Sequence, residues 1–288
     1  MAKTPRFVDT LLLLSVCLAP IPVSASHGGW GYEGDTGPEH WGSLSREYAA
    51  CSAGQAQSPV DIPPVAPVNP PDLQLDYKPS PLAISNNGHS IQADYAPGSS
   101  LEVNGASYPL VQFHLHSLSE HTLNGEATPM ELHLVHRDSR GRIAVIGVML
   151  VEGAQNAAYE ALLANLPASP AEPKTIDAVT VDAGRLLPPE RDYYRYDGSL
   201  TTPPCTEGVK WFVMARPVEL SAGQIAAFRA VYQNNYRPVQ PLNGRAFLLT
   251  AEQPPAILPA TGGSAGLVLV ALACIGLLTA FIRLGARR

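Results

Sequence analysis

Gln112–His136 reads Q-F-H-L-H-S-L-S-E-H-T-L-N-G-E-A-T-P-M-E-L-H-L-V-H and carries five of the chain's eight histidines. In a β-strand, residues i and i+2 share a face, so Gln112, His114 and His116 point one way. On a helix, with 3.6 residues per turn, His114 and His116 would stand about 200° apart. The second run, Glu131-Leu132-His133-Leu134-Val135-His136, alternates too and puts Glu131, His133 and Val135 together. A polar turn, Asp138-Ser139-Arg140-Gly141, follows it, and then the β-type run Ile143–Val151. That setting predicts strands. Two neighbouring strands can then bring three imidazoles to one point.

Three neutral imidazoles with the fourth position open to water form a catalytic zinc arrangement. Ligand histidines usually donate the N–H of their other ring nitrogen to a carboxylate or carbonyl. Gln112 and Glu131 lie on the ligand face, two residues before His114 and His133, where they can accept such bonds. His136, three residues past His133, turns away, which argues against a closed four-histidine site. The competing reading is a strand pair with ordinary core or surface imidazoles, and the inward Gln and Glu weigh against it.

Q-F-H-L-H, S-E-H-T and E-L-H-L-V-H resemble the α-class carbonic anhydrases. So do G-P-E-H-W (Gly37–Trp41), Q-S-P-V-D-I (Gln57–Ile62), N-N-G-H (Asn86–His89), G-S-L-T-T-P-P (Gly198–Pro204) and R-P-V-Q-P-L-N-G-R (Arg237–Arg245). The motifs follow the family order through roughly residues 28–250, the whole globular part. The resemblance implies a mainly β fold with a few peripheral helices (α+β), a single domain on a large, mostly antiparallel, twisted central β-sheet. It implies Zn2+ held by His114, His116 and His133, and reversible hydration of carbon dioxide to bicarbonate and a proton by zinc-bound hydroxide. Gln112 and Glu131 would support the ligands. Thr201 would orient the hydroxide and donate its own proton to Glu120, because an ionised carboxylate only accepts. His89 would shuttle the proton to buffer, a task suited to a group titrating near neutrality. Thr202 would contact bicarbonate, while Val135, Val145, Leu200, Val209 and Trp211 would form an apolar substrate wall. The resemblance also implies a Cys51–Cys205 disulfide and cis peptide bonds at Ser58–Pro59 and Pro203–Pro204. The chain departs from the pattern at Leu115, Ser117 and Leu118, none of them a proposed ligand.

Composition is compatible with a large core. The 288 residues are 45% hydrophobic and 15% charged, with a net charge of −6. Disorder is excluded on that balance. Without a long basic run before the C-terminal tail, nucleic acid is a poor partner.

The ends read as addresses. In residues 1–25, Lys3 and Arg6 precede the apolar run Leu11–Val23, and Val23-Ser24-Ala25 supplies small residues for cleavage. This is a signal-peptide pattern; Cys17 leaves a lipoprotein alternative. Residues 26–252 are the expected catalytic domain. Residues 253–263 form a linker with Leu258-Pro259-Ala260-Thr261-Gly262, similar to a sortase sorting signal. A hydrophobic transmembrane segment at residues 264–282 and a basic cytoplasmic tail at 283–288 follow it, the arginines fitting the inside of a membrane. Either a sortase joins the chain to cell-wall peptidoglycan after Thr261, or the helix remains as a membrane anchor. Both place the protein outside the cytoplasmic membrane, at the cell surface. Cys51 and Cys205 are then the two cysteines of the exported domain, bridged or free.

Between Asn86 and Ser107, short strands broken at Asn87-Gly88 and Pro97-Gly98 are expected. Ala154–Leu166 and Gln224–Asn234 read as amphipathic helices, and Pro63–Pro71 as an extended surface connection. A different functional class stays open at this point, a surface-anchored binding or adhesion module built on the same fold with little or no catalysis.

Overall fold

The structure, a computed structural model, describes residues 29–68 and 73–250. The expected signal peptide, sorting motif, hydrophobic segment and basic tail lie outside the described residues. Among the described residues no helix is long and apolar enough to cross a membrane.

Strands β1 (Asp61–Ile62), β2 (Pro67–Val68), β3 (Leu73–Asp76), β4 (Ser80–Asn86), β5 (Ile91–Asp94) and β6 (Ser100–Val103) come first. They lead into β7 (Ala106–His116), β8 (Thr122–Leu123), β9 (Met130–Arg137) and β10 (Ile143–Glu152). Then follow β11 (Ala171–Val181), β12 (Tyr193–Ser199), β13 (Glu207–Met214), β14 (Val218–Leu220) and β15 (Leu248–Thr250). The main sheet runs β11-β4-β5-β7-β9-β10-β13-β12-β15-β2. Most pairs are antiparallel, as expected; β13 and β14 lie parallel to β10, and β2 parallel to β15. The strands and turns between Asn86 and Ser107 fall where the sequence puts them, with Gly88 and Gly98 at positive φ of 87° and 115°. The Ser58–Pro59 and Pro203–Pro204 bonds are cis, as is Ser117–Leu118.

Alternation along the central strands divides the core in two. One face joins Leu132, Leu134, Ala144, Ile146, Val148 and Phe212 into the larger apolar cluster. The other gathers Val145, Val209, Trp211 and Val213 with the half-buried Val135 and Leu200. His136 falls on the first face, away from the ligand candidates, as expected. There its Nδ1–H donates to the Ala144 carbonyl at 3.2 Å and its Nε2 accepts from the Tyr77 hydroxyl at 2.7 Å. Burial pushes its pKa down to about 4, so it is an uncharged core group.

Among the described residues four short α-helices are peripheral: α1 (Trp41–Leu44), α2 (Ala50–Ala53), α3 (Ala157–Leu163) and α4 (Ala222–Arg229). Two differ in extent from the sequence expectation. Helix α3 starts late because the Asn156 side chain accepts from Ala158 N and caps it. Helix α4 starts two residues before Gln224, at a capping box between Ser221 and Gln224, a pattern that S-x-x-Q announces in the sequence. It ends at Arg229 rather than Asn234, and the chain beyond turns inward to serve the site. The proline-rich stretch is not all connection: Pro67–Val68 pairs with β15 at the sheet's end, where proline is tolerated.

Candidate metal centre

Register brings the histidines together. In the antiparallel β7–β9 pair His114 stands opposite His133, and His116 opposite Glu131. Directly opposed residues share a face, so the three imidazoles converge. Their ligand-capable nitrogens all lie within 4.8 Å of one another.

The hydrogen-bond partners fix which nitrogen each ring presents. His114 Nδ1–H donates to Gln112 Oε1 at 2.8 Å, leaving Nε2 with its lone pair. His116 Nδ1–H donates to the Asn235 carbonyl at 2.6 Å, again leaving Nε2. His133 is turned round: Nε2–H donates to Glu131 Oε1 at 2.9 Å, leaving Nδ1. His116 Nε2 is buried without any hydrogen-bond partner. Burial keeps all three rings below the usual imidazole pKa, His116 at about 4. They are therefore neutral, the form that binds metals.

Glu131 is the junction of this network. Its Oε1 also accepts from His121 Nδ1–H at 2.7 Å, and its Oε2 accepts from the N–H groups of Glu120 and His121, both at 2.8 Å. Burial opposes ionisation, but His121 and His133 outweigh it and hold the carboxyl well below the usual range. His121 Nε2 meets the Tyr196 hydroxyl at 2.6 Å, and Tyr196 meets Ser58 Oγ at 2.8 Å. His121, Glu131 and His133 also form a compact group of potential ligand atoms. Their contacts at 2.7–2.9 Å are hydrogen-bond lengths, so this group reads as support for the triad.

Glu120 lies beneath the triad. Its Oε1 accepts from Arg237 N at 2.8 Å, whereas the buried Oε2 has no hydrogen-bond partner and sits 3.5 Å from His116 Nε2. Burial raises its pKa to about 7, against His133, the Thr201 hydroxyl and the Arg237 N–H, which lower it. Thr201 is buried, and Thr202 accepts from Cys205 N at 2.9 Å. Val135, Val145, Leu200, Val209 and Trp211 belong to one apolar cluster, with Trp211 edge-on to His133 at 4.9 Å between centroids. His89 stacks on Trp30 with centroids 3.6 Å apart and planes 9° from parallel. Cys51 and Cys205 are bridged.

Sequence reasoning missed Asn235. Besides accepting from His116, it accepts from Ser117 N through its side chain and donates to the carbonyls of Leu115 and His89. One buried side chain thus ties β7 to the His89 loop. It lies 119 residues beyond His116, and no local pattern marks it.

The chain matches the family model of the eukaryotic-type carbonic anhydrases over residues 36–250. It is 43% identical over 229 residues to a carbonic anhydrase of a Nostoc species, covering 78% of this chain and 87% of that one. A carbonic anhydrase of Neisseria gonorrhoeae is 41% identical over 252 residues, covering 85% and 99%. The solved α-carbonic anhydrase of Thermovibrio ammonificans, in complex with the inhibitor sulfanilamide, superposes with a TM-score of 0.74 at 44% identity, covering 77% of this chain and 99% of that one.

Proposed function

The chain belongs to the eukaryotic-type carbonic anhydrase family, and from that premise we propose that its triad holds zinc for the reversible hydration of carbon dioxide to bicarbonate and a proton. The observation that carries the zinc assignment is the buried, unpartnered His116 Nε2 facing two further neutral imidazoles. Buried polar atoms without partners are rare, and three imidazole donors with one position left over fit zinc. Bound there, zinc supplies acidity, lowering the pKa of water from 15.7 to about 7.

The remaining chemistry belongs to the side chains. Glu120 ionises beside a cation in the triad, since opposite charge favours the charged form. Thr201 then donates its proton to Glu120 and offers its oxygen lone pairs to the attacking nucleophile, fixing the direction of attack. Carbon dioxide, uncharged and a poor hydrogen-bonder, rests against Val135, Val145, Leu200, Val209 and Trp211. Thr202 contacts the bicarbonate product, and His89 carries the released proton out.

Stopped-flow hydration tests the assignment. Activity should collapse to the uncatalysed rate on chelation and return on adding Zn2+. Folded protein that holds the metal yet leaves carbon dioxide untouched would instead be a binding module. For His89, the His89→Ala variant should keep its metal and turn over roughly 100-fold or more slowly in dilute buffer, the lower end of the range for a lost acid–base group. Added imidazole should restore the rate, and absence of rescue would end the shuttle assignment.

The ends of the chain support export and surface attachment. Lys3, Arg6 and the Leu11–Val23 run favour export, and Leu258–Gly262 with the apolar stretch behind it favours cell-wall or membrane anchoring. Intact mass of protein taken from the cell surface reads both termini. A chain still beginning at Met1 excludes cleavage of the leader, and one ending at Arg288 excludes the sortase cut.

A further inference from the structure

Gly147 sits in the middle of β10, opposite His133 on one side and Val213 on the other. It shares the site face with Val145 and Met149, where every other strand position is bulky. Glycine weakens a strand interior, and there it marks a close approach by another group. Its backbone is not in the left-handed region, so conformation does not call for glycine. What calls for it is space. A Cβ at this position would lie 2.9 Å from Glu131 Oε1, too close for any real contact, but at ordinary distances of 3.5 and 3.7 Å from Val213 and Trp211.

A flexible carboxylate could usually swing away from a methyl group. Glu131 cannot do so cheaply, because its two oxygens receive four hydrogen bonds, from His121 Nδ1, His133 Nε2 and the N–H groups of Glu120 and His121. The atom in conflict is the one that holds His133. We propose that Gly147 is a positioning residue for the metal site: the side chain it lacks is the space in which the Glu131 carboxylate stands while it orients His133. The proposal rests on the zinc reading of the triad. It adds a residue on a third strand that supplies no ligand atom yet sets how firmly the ion is kept.

The experiment follows metal loss from zinc-loaded wild type and Gly147→Ala protein into excess chelator. Gly147→Ala should release the ion about 10–100-fold faster, the range for lost support around a ligand. The proton resonances of His121 Nδ1–H and His133 Nε2–H should also shift in the metal-free protein. In a Glu131→Ala background the conflict is gone, so adding Gly147→Ala should accelerate loss no further. If Glu131→Ala does not fold, Glu131→Asp, with its carboxylate drawn back by one methylene, serves as the background, and the alanine penalty should shrink there. Release at the wild-type rate, or an equal acceleration in both backgrounds, overturns the proposal. Wild-type protein that holds no zinc would sink the reading of the triad instead, and the imidazole resonances would still decide the role of Gly147.

Discussion

His133→Ala should strip the protein of zinc and lower carbon dioxide hydration at neutral pH by at least about 1,000-fold, or roughly 4 kcal/mol of activation free energy. Two losses coincide at this residue. One of three nitrogen donors disappears, and Glu131 Oε1 keeps only His121 as a side-chain donor. Without the ion, the acidity that lowers the pKa of water from 15.7 to about 7 goes as well, so no residue left in the pocket can generate the nucleophile. Gln112→Ala is a graded control: it removes the acceptor of His114 Nδ1–H but no ligand, and should weaken zinc binding only about 10–100-fold. Metal content, hydration rate and near-ultraviolet circular dichroism, measured together, separate loss of the ion from loss of the fold. A folded His133→Ala protein with full hydration activity would refute the assignment of the triad.

The shared face of the proposed ligands was legible because strand periodicity is local. Gln112, His114 and His116 needed only alternation to share a face, and the same rule turned His136 to the opposite one. Alternation does not set register, however. That His133 lies opposite His114 depends on the pairing of β7 with β9, which slips by one residue between Leu110 and Gln112. The apolar cluster proposed as the pocket wall goes further beyond local pattern, since Val145 meets Trp211 through a parallel pairing whose partners are 66 positions apart. Asn235 could not be read at all, and Arg237 only as the first residue of a motif, without a role. Both lie on the segment after α4, just past the expected end of that helix at Asn234, and their contacts to His116 and Glu120 exist only once the chain has returned across the sheet. Helix ends failed for a smaller reason: the caps at Asn156 and Ser221 outweighed the apolar spacing used to place them.

Replacing Cys51 and Cys205 together by alanine should lower stability by about 3–5 kcal/mol while leaving much of the hydration activity at 25 °C. The bridge spans 154 residues, and chain entropy assigns a loop of that length about 5 kcal/mol, although measured values run about 2–5. Both ends are also held without the sulfurs. Arg237 Nη2 donates to the Cys51 carbonyl at 2.6 Å, Gln57 Nε2 donates to that of Cys205 at 3.1 Å, and Cys205 N donates to Thr202 O at 2.9 Å. The loop bearing Thr201 should therefore keep its native shape in the folded variant, with the loss falling mainly on the unfolded side of the equilibrium. For a domain of this size that corresponds to a fall in Tm of roughly 6–20 °C. Denaturant unfolding of wild type with and without reductant provides the check, because reduced wild type should match the double variant. Equal stability in all three would mean that the bridge contributes nothing. A collapse of activity in a variant that remains folded would mean that the sulfurs, rather than the hydrogen bonds around them, hold Thr201 in place.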